Sequence, residues 1–139
     1  MIAFRIALQP GVPVYQQVVY AAKKAIIAGQ MRAGDRFPSV RTLSQELKIN
    51  PNTAHKVVTQ LISDGLIEVH PGRGTLVVEL PASTARERGR LLKGQLEALV
   101  VEAKRLQMDL GDVQAALSEH WERLGFDSRS SSERKGERS

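Results

Sequence analysis

Asn50-Pro51 and the stripe that follows it constrain this chain more than any other feature. Asparagine ahead of proline is a helix-start signal. The amide side chain can cap free backbone N–H groups, and proline at the first helical position gives up a donor that has no partner there anyway. Ala54, Val57, Val58, Leu61 and Ile62 then recur at i, i+3, i+4, i+7 and i+8, one buried face of a helix that Gly65 ends. Asn52, His55, Lys56 and Thr59 lie opposite at the same spacing. One helix therefore presents an apolar side and a hydrogen-bonding, partly cationic side, with Asn52 and Thr53 in its first turn.

The flanking segments extend the pattern. Pro13 suits a first helical turn, and Tyr15, Val18, Val19, Ala22, Ala25 and Ile26 form one face of a helix ending at Gly29, with Lys23 and Lys24 on the other side. Ahead of it, Ala3 to Leu8 reads as a short strand or an ordered arm. A turn is expected at Ala33-Gly34-Asp35. Ser39 is a natural N-cap after Pro38, and Val40, Leu43 and Leu47 make a short amphipathic helix with Arg41 in its first turn. Downstream, Leu66–Val69 and Thr75–Glu79 are rich in β-branched residues and separated by His70-Pro71-Gly72-Arg73-Gly74. This predicts a hairpin with a glycine-rich tip longer than a two-residue turn. The order of helix, helix, short turn, helix and hairpin is that of a winged helix-turn-helix, expected over residues 10–80.

Pro81-Ala82-Ser83-Thr84 reads as a hinge or a helix start. In the helix beyond it, Leu92, Leu96, Leu99, Ala103 and Leu106 follow a 4-3-4-3 spacing, the seam of a helix that packs on another helix. Gly94 inside it costs about 1 kcal/mol relative to Ala, so this helix relies on packing. Asp109 is a plausible N-cap for a last helix whose apolar face is Leu110, Val113, Leu117, Trp121 and Leu124. Residues 82–125 are thus expected to be a two-helix region that associates with a second copy, through Leu92, Leu96, Leu99, Ala103, Leu106, Leu117 and Trp121. The Ser/Arg/Glu-rich residues 126–139 have nothing to bury and are expected to be a disordered tail. The fold class predicted is mainly α: three helices and a β-hairpin wing, followed by two dimerisation helices.

Composition narrows the function classes. Residues 1–80 carry nine Lys/Arg against five Asp/Glu, so most of the net charge of +5 sits in the winged part, which permits an anionic partner. There is no cysteine, which excludes disulfides, thiol catalysis and Cys-ligated zinc. No apolar run approaches the roughly 20 residues of a membrane span. The N-terminal apolar stretch is interrupted by Arg5, unlike a signal peptide, so a cytoplasmic location is the default. His55, His70 and His120 have no metal-ligand spacing, and neither a P-loop nor a nucleophile elbow occurs. The expectation is no enzyme, no metal and no cofactor.

DNA recognition needs a helix whose N-terminal residues meet base edges in the major groove while flanking groups hold phosphates. Asn50, Pro51, Asn52, Thr53, His55 and Lys56 are the candidates on the third helix, with Lys56 suited to a phosphate or a guanine. Arg41 can reach backbone phosphate. Gly72, Arg73 and Gly74 form a wing tip that can bring backbone close to DNA and Arg73 toward a minor groove. The rival reading is a winged helix used for protein–protein contact, though such modules usually lack a polar, cationic third helix. The partners expected are a double-stranded DNA operator and a second copy of the chain. A small-molecule effector is left open, with no residue set to identify one.

The succession Pro13-Val14-Tyr15-Gln16-Gln17, Gly34 to Leu43 (GDRFPSVRTL), Asn50-Pro51-Asn52-Thr53, Asp64-Gly65-Leu66-Ile67 and Gly72-Arg73-Gly74-Thr75 resembles the GntR family of bacterial regulators, over about residues 10–79. The short two-helix end resembles its YtrA subfamily. That resemblance implies a homodimer formed through the C-terminal helices, binding a two-fold operator, usually repressing and often associated with transporter operons. It also implies DNA contacts at Arg41, the Asn50–Thr53 turn, Lys56 and the Gly72–Gly74 tip. Lys56 stands where Arg is common and Val58 where an aromatic is common. Gln107 replaces the usual helix-ending glycine before the last helix.

Overall fold

The computed structural model describes residues 2–137, with side chains over 2–125. It divides into two units: residues 2–80 together with residues 124–137, and Pro81–Arg123.

In the first unit, α1 (Val14–Ile27), α2 (Val40–Leu47) and α3 (Pro51–Ser63) precede an antiparallel pair, β1 (Ile67–His70) and β2 (Gly74–Val77). The start signals work as their chemistry predicts. The Ser39 hydroxyl accepts from the Thr42 N–H at 3.1 Å, and the Asn50 side chain accepts from the Asn52 N–H at 2.8 Å with Pro51 at the first helical position. The core is wholly apolar among the described residues, with Val18, Ala22, Leu43, Ala54, Val57, Leu61 and Ile67 sealed from solvent. Facing stripes of the three helices and the base of the hairpin supply most of it, and Phe4, Met31 and Phe37 complete it.

One expectation needs correction. Ile62, expected on the buried stripe, is 40% exposed. At 100° per residue it lies about 80° around the helix from Ala54, at the stripe's edge. The wing tip is longer than a two-residue turn, as expected, and spans three residues, because His70 and Gly74 pair in the ladder and leave Pro71, Gly72 and Arg73 outside it. The Arg73 N–H donates to the His70 carbonyl at 2.9 Å, and Gly72 has φ +80°. Proline at the second position and a positive-φ glycine at the third are the requirements of a type II turn. The turn expected at Ala33-Gly34-Asp35 forms, with the Asp35 N–H donating to the Arg32 carbonyl at 2.9 Å, and the same stretch lines the outer edge of β2. Gly34 N–H donates to the Val77 carbonyl, Val77 N–H to the Asp35 carbonyl and Phe37 N–H to the Thr75 carbonyl, each at 2.8 Å.

Ala3 to Leu8 forms no strand but an ordered arm. Phe4 is buried, and Ile2 and Ile6 pack on the core. The Gln17 amide fastens the end of this arm. It accepts from the Gln9 N–H and donates to the carbonyls of Gln9 and Val12, at 2.8–2.9 Å.

In the second unit α4 (Ala85–Gly89) opens with a reciprocal cap: the Thr84 hydroxyl accepts from the Glu87 N–H, and the Glu87 carboxylate accepts from the Thr84 N–H. A π-helical turn (Arg90–Gln95) containing Gly94 leads into α5 (Leu96–Arg105). Its bond from Leu96 N–H to the Leu91 carbonyl sets Leu91 one turn ahead of Leu96, so Leu91 joins Leu92 at that level of the apolar edge. Gln107 takes the left-handed conformation (φ 59°) that a glycine would take more easily, and α6 (Leu110–Glu137) begins after Asp109. Residues 126–139, expected to be a disordered tail, lie outside the residues whose side chains are described. No helix among the described residues is long and apolar enough to cross a membrane.

Candidate nucleic-acid interface

The candidate contact residues all reach solvent in the first unit. Arg41, Asn50, Pro51, Asn52, His55, Lys56, Gly72, Arg73 and Gly74 are exposed, and Thr53 is half-buried. Burial of Ala54, Val57 and Leu61 fixes the rotation of α3, so Asn52, His55, Lys56 and Thr59 must face outward. Asn50 has a prior commitment. Its side-chain oxygen is spent on the cap, which leaves its amide N–H₂ for any further contact.

Neither α2 nor α3 carries an acidic residue in its first turn, so the positive ends of both helix dipoles stay uncompensated. Arg41, in the first turn of α2, adds a cation at the end where the dipole disfavours one. That placement costs local stability, about 0.3–1 kcal/mol at an exposed site. In exchange it concentrates positive potential where backbone amides already point outward, the arrangement that attracts a phosphate.

The wing tip depends on Gly72 and Gly74, at φ +80° and +88°. A Cβ at either would meet nothing within 4 Å, so the backbone conformation and not packing selects glycine. Arg73 between them is thereby held at the tip of a tight turn. His70 at the wing base is half-buried, its Nε2 3.0 Å from the Glu68 carboxylate.

Two residues beside these candidates carry no local sequence signal for such a place. Tyr15, placed on the core face of α1, stands under the Lys56 ammonium at 5.2 Å from its ring centre. Arg36 is exposed and bridges to Leu76 beside the wing. Only pairing between distant segments creates either placement, so no local signal reports it.

In the second unit the expected dimerisation residues divide. Leu92, Leu96, Leu99, Leu106, Leu117 and Trp121 are exposed, with Trp121 at 71%, whereas Ala103 is already buried within the chain. Among the described residues no group of His, Cys, Asp and Glu is arranged to hold a metal ion.

This geometry agrees with what the chain resembles. A model of the gntR family of bacterial regulatory proteins matches residues 14–77. The HTH-type transcriptional repressor YtrA of Bacillus subtilis is 37% identical over 92 residues, covering 66% of this chain and 71% of that protein. The chain belongs to the GntR family. Among solved structures, YtrA of Sulfolobus acidocaldarius, a GntR-family transcription factor, superposes with a TM-score of 0.54 at 28% identity, over 68% of this chain and 96% of that one. A transcriptional antiterminator from Listeria monocytogenes shares the fold, with a TM-score of 0.77 at 20% identity over 87% of this chain and 91% of that one. As a GntR-family member the chain is a DNA-binding transcription regulator and not an enzyme, and the protein-contact reading of the winged helix is set aside.

Proposed function

We propose that the protein is a cytoplasmic repressor that binds a two-fold operator as a homodimer. The observation that carries the reading is the first turn of α3: capped by Asn50, free of acidic residues, and followed by an outward face of Asn52, His55, Lys56 and Thr59. Repression is the role named for YtrA of Bacillus subtilis. Residues 10–80 act as the DNA-binding domain and 82–125 as the dimerisation region. Asn52 and Thr53 read base edges, with His55 beside them, while Arg41 and Lys56 hold phosphates. Gly72-Arg73-Gly74 enters the adjacent minor groove.

The open apolar face around Leu96, Leu99 and Leu106 supports self-association, because a contiguous apolar surface of that kind calls for a partner. Two copies set two recognition helices about 34 Å apart, the spacing of half-sites one helical turn apart. Target genes encoding a transport system fit the same reading by kinship, since a more distant relative is named the mannosyl-D-glycerate transport/metabolism system repressor of Escherichia coli.

Selection of bound sequences from random duplexes, with wild type, Arg41→Ala and Asn52→Ala, tests the assignment. Wild type should recover an inverted repeat. Arg41→Ala should weaken binding to all sequences alike, whereas Asn52→Ala should relax preference at one position per half-site, by about 1–3 kcal/mol of discrimination. Identical preferences for wild type and Asn52→Ala refute the base-reading role.

A further inference from the structure

The Lys56 ammonium lies 5.2 Å from the centre of the Tyr15 ring. The two residues belong to different helices and differ in freedom. Tyr15, in the first turn of α1, is half-buried and packs against the core, so its ring is held in place. Lys56 is exposed on α3, and its charge sits at the end of a flexible four-carbon stem. An ammonium within about 6 Å of a ring face is attracted by the ring's quadrupole. The ring covers one side of the cation and leaves its remaining N–H donors to the surroundings.

Ordering a free lysine on binding lowers affinity, because rotamer freedom is lost at that moment. The geometry points to Tyr15 as a positioning residue for DNA binding: its ring holds the Lys56 ammonium pre-set for a backbone phosphate. This inference rests on the reading of Lys56 as a DNA contact given above. It extends the interface to α1. It also assigns the effect to the ring and not to the hydroxyl, which accepts a hydrogen bond from the Gln16 amide at 3.4 Å. Phosphate contacts carry no sequence information. Tyr15 therefore sets affinity for every duplex and leaves base preference unchanged.

The test is a double-mutant cycle read by fluorescence anisotropy on the selected operator and on a scrambled duplex. Tyr15→Leu should weaken both by the same factor, about two- to five-fold. Tyr15→Phe should bind as wild type, and Tyr15→Leu should have no further effect in a Lys56→Ala background. In the DNA-free protein, the Lys56 ε-methylene protons should resonate upfield under the ring current in wild type and Tyr15→Phe. That shift can be read even if Tyr15→Leu proves poorly folded.

A loss that persists in the Lys56→Ala background, a Tyr15→Phe loss as large as that of Tyr15→Leu, or unshifted Lys56 protons overturns the inference. Lys56→Ala binding both duplexes as wild type overturns the DNA role of Lys56 and the inference with it. A weakened Lys56→Ala beside an unaffected Tyr15→Leu overturns the inference alone.

Discussion

Phe4 stacks on Phe37, with ring centroids 6.4 Å apart and planes 19° from parallel. Both rings are buried, at 5% and 4% exposure, so the N-terminal arm completes the core beside the residue that leads into Pro38, Ser39 and α2. Phe4→Ala should therefore destabilise the winged unit by about 3 kcal/mol, the lower end for Phe truncation, because a terminal arm can detach and limit the loss. Urea unfolding measures it. An unchanged midpoint would show that the arm does not contribute to the cooperative core.

The caps explain how much of the fold was readable in the sequence. Ser39, Asn50-Pro51 and the spacing of Ala54, Val57 and Leu61 act within one or two turns, so residue types alone report them. The Phe4–Phe37 stack, the pairing of residues 34–37 with β2 and the Tyr15–Lys56 contact join segments far apart in sequence. Nothing local encodes such contacts. The wing fell between these cases: Pro71-Gly72 signals a turn, but the pairing of His70 with Gly74 depends on where the core ends. In the candidate site, the outward face of α3 was legible because it is the complement of the buried stripe. The ring beneath Lys56 was not, because Tyr15 also satisfies the core face of α1.

Gln107 closes α5 in a left-handed conformation, with its N–H donating to the Lys104 carbonyl and the Met108 N–H to the Ala103 carbonyl, both at 3.0 Å. This is the bonding of a Schellman cap, in which glycine usually occupies the left-handed position. A side chain there costs about 1–2 kcal/mol, while glycine would add unfolded-state entropy of about 0.4–1 kcal/mol. Gln107→Gly should raise stability by the difference, about 0.5–1 kcal/mol. Thermal unfolding checks the sign. A lowered midpoint would mean that the glutamine side chain stabilises the turn by more than its backbone strain.

The cap of α4 should respond to acid. The backbone N–H of Thr84 is the main cause holding the Glu87 carboxyl below its ordinary value of 4.5, helped by the Thr84 side chain and by the charges of Arg90 and Arg88. A carboxylate depressed in the folded state contributes stability that is complete above its ordinary value and is lost as pH falls through the lowered one. Amide exchange at residues 84–88, corrected for its intrinsic pH dependence, should therefore accelerate below pH 4.5. Glu87→Gln, which keeps an acceptor but cannot titrate, should remove that dependence. Protection in wild type that does not change with acidification would show that the carboxylate is not what holds the turn.

The proposed homodimer makes a prediction that residues exposed in the single chain can test. Leu96 and Leu99 are 37% and 49% exposed in the single chain, so replacing either with aspartate removes little from its own core. In an apolar interface the same carboxylate would be buried without a partner, which is strongly unfavourable. Leu96→Asp or Leu99→Asp should halve the sedimenting mass. Operator affinity should fall by about 100-fold or more, because the second half-site is then no longer reached intramolecularly. Trp121, the only tryptophan, gives an independent signal. It is 71% exposed in the single chain, so if the interface covers it, wild-type emission should be blue-shifted relative to the aspartate variants. A Leu99→Asp protein that still sediments as a dimer would place the interface elsewhere, and with it the spacing of the two recognition helices.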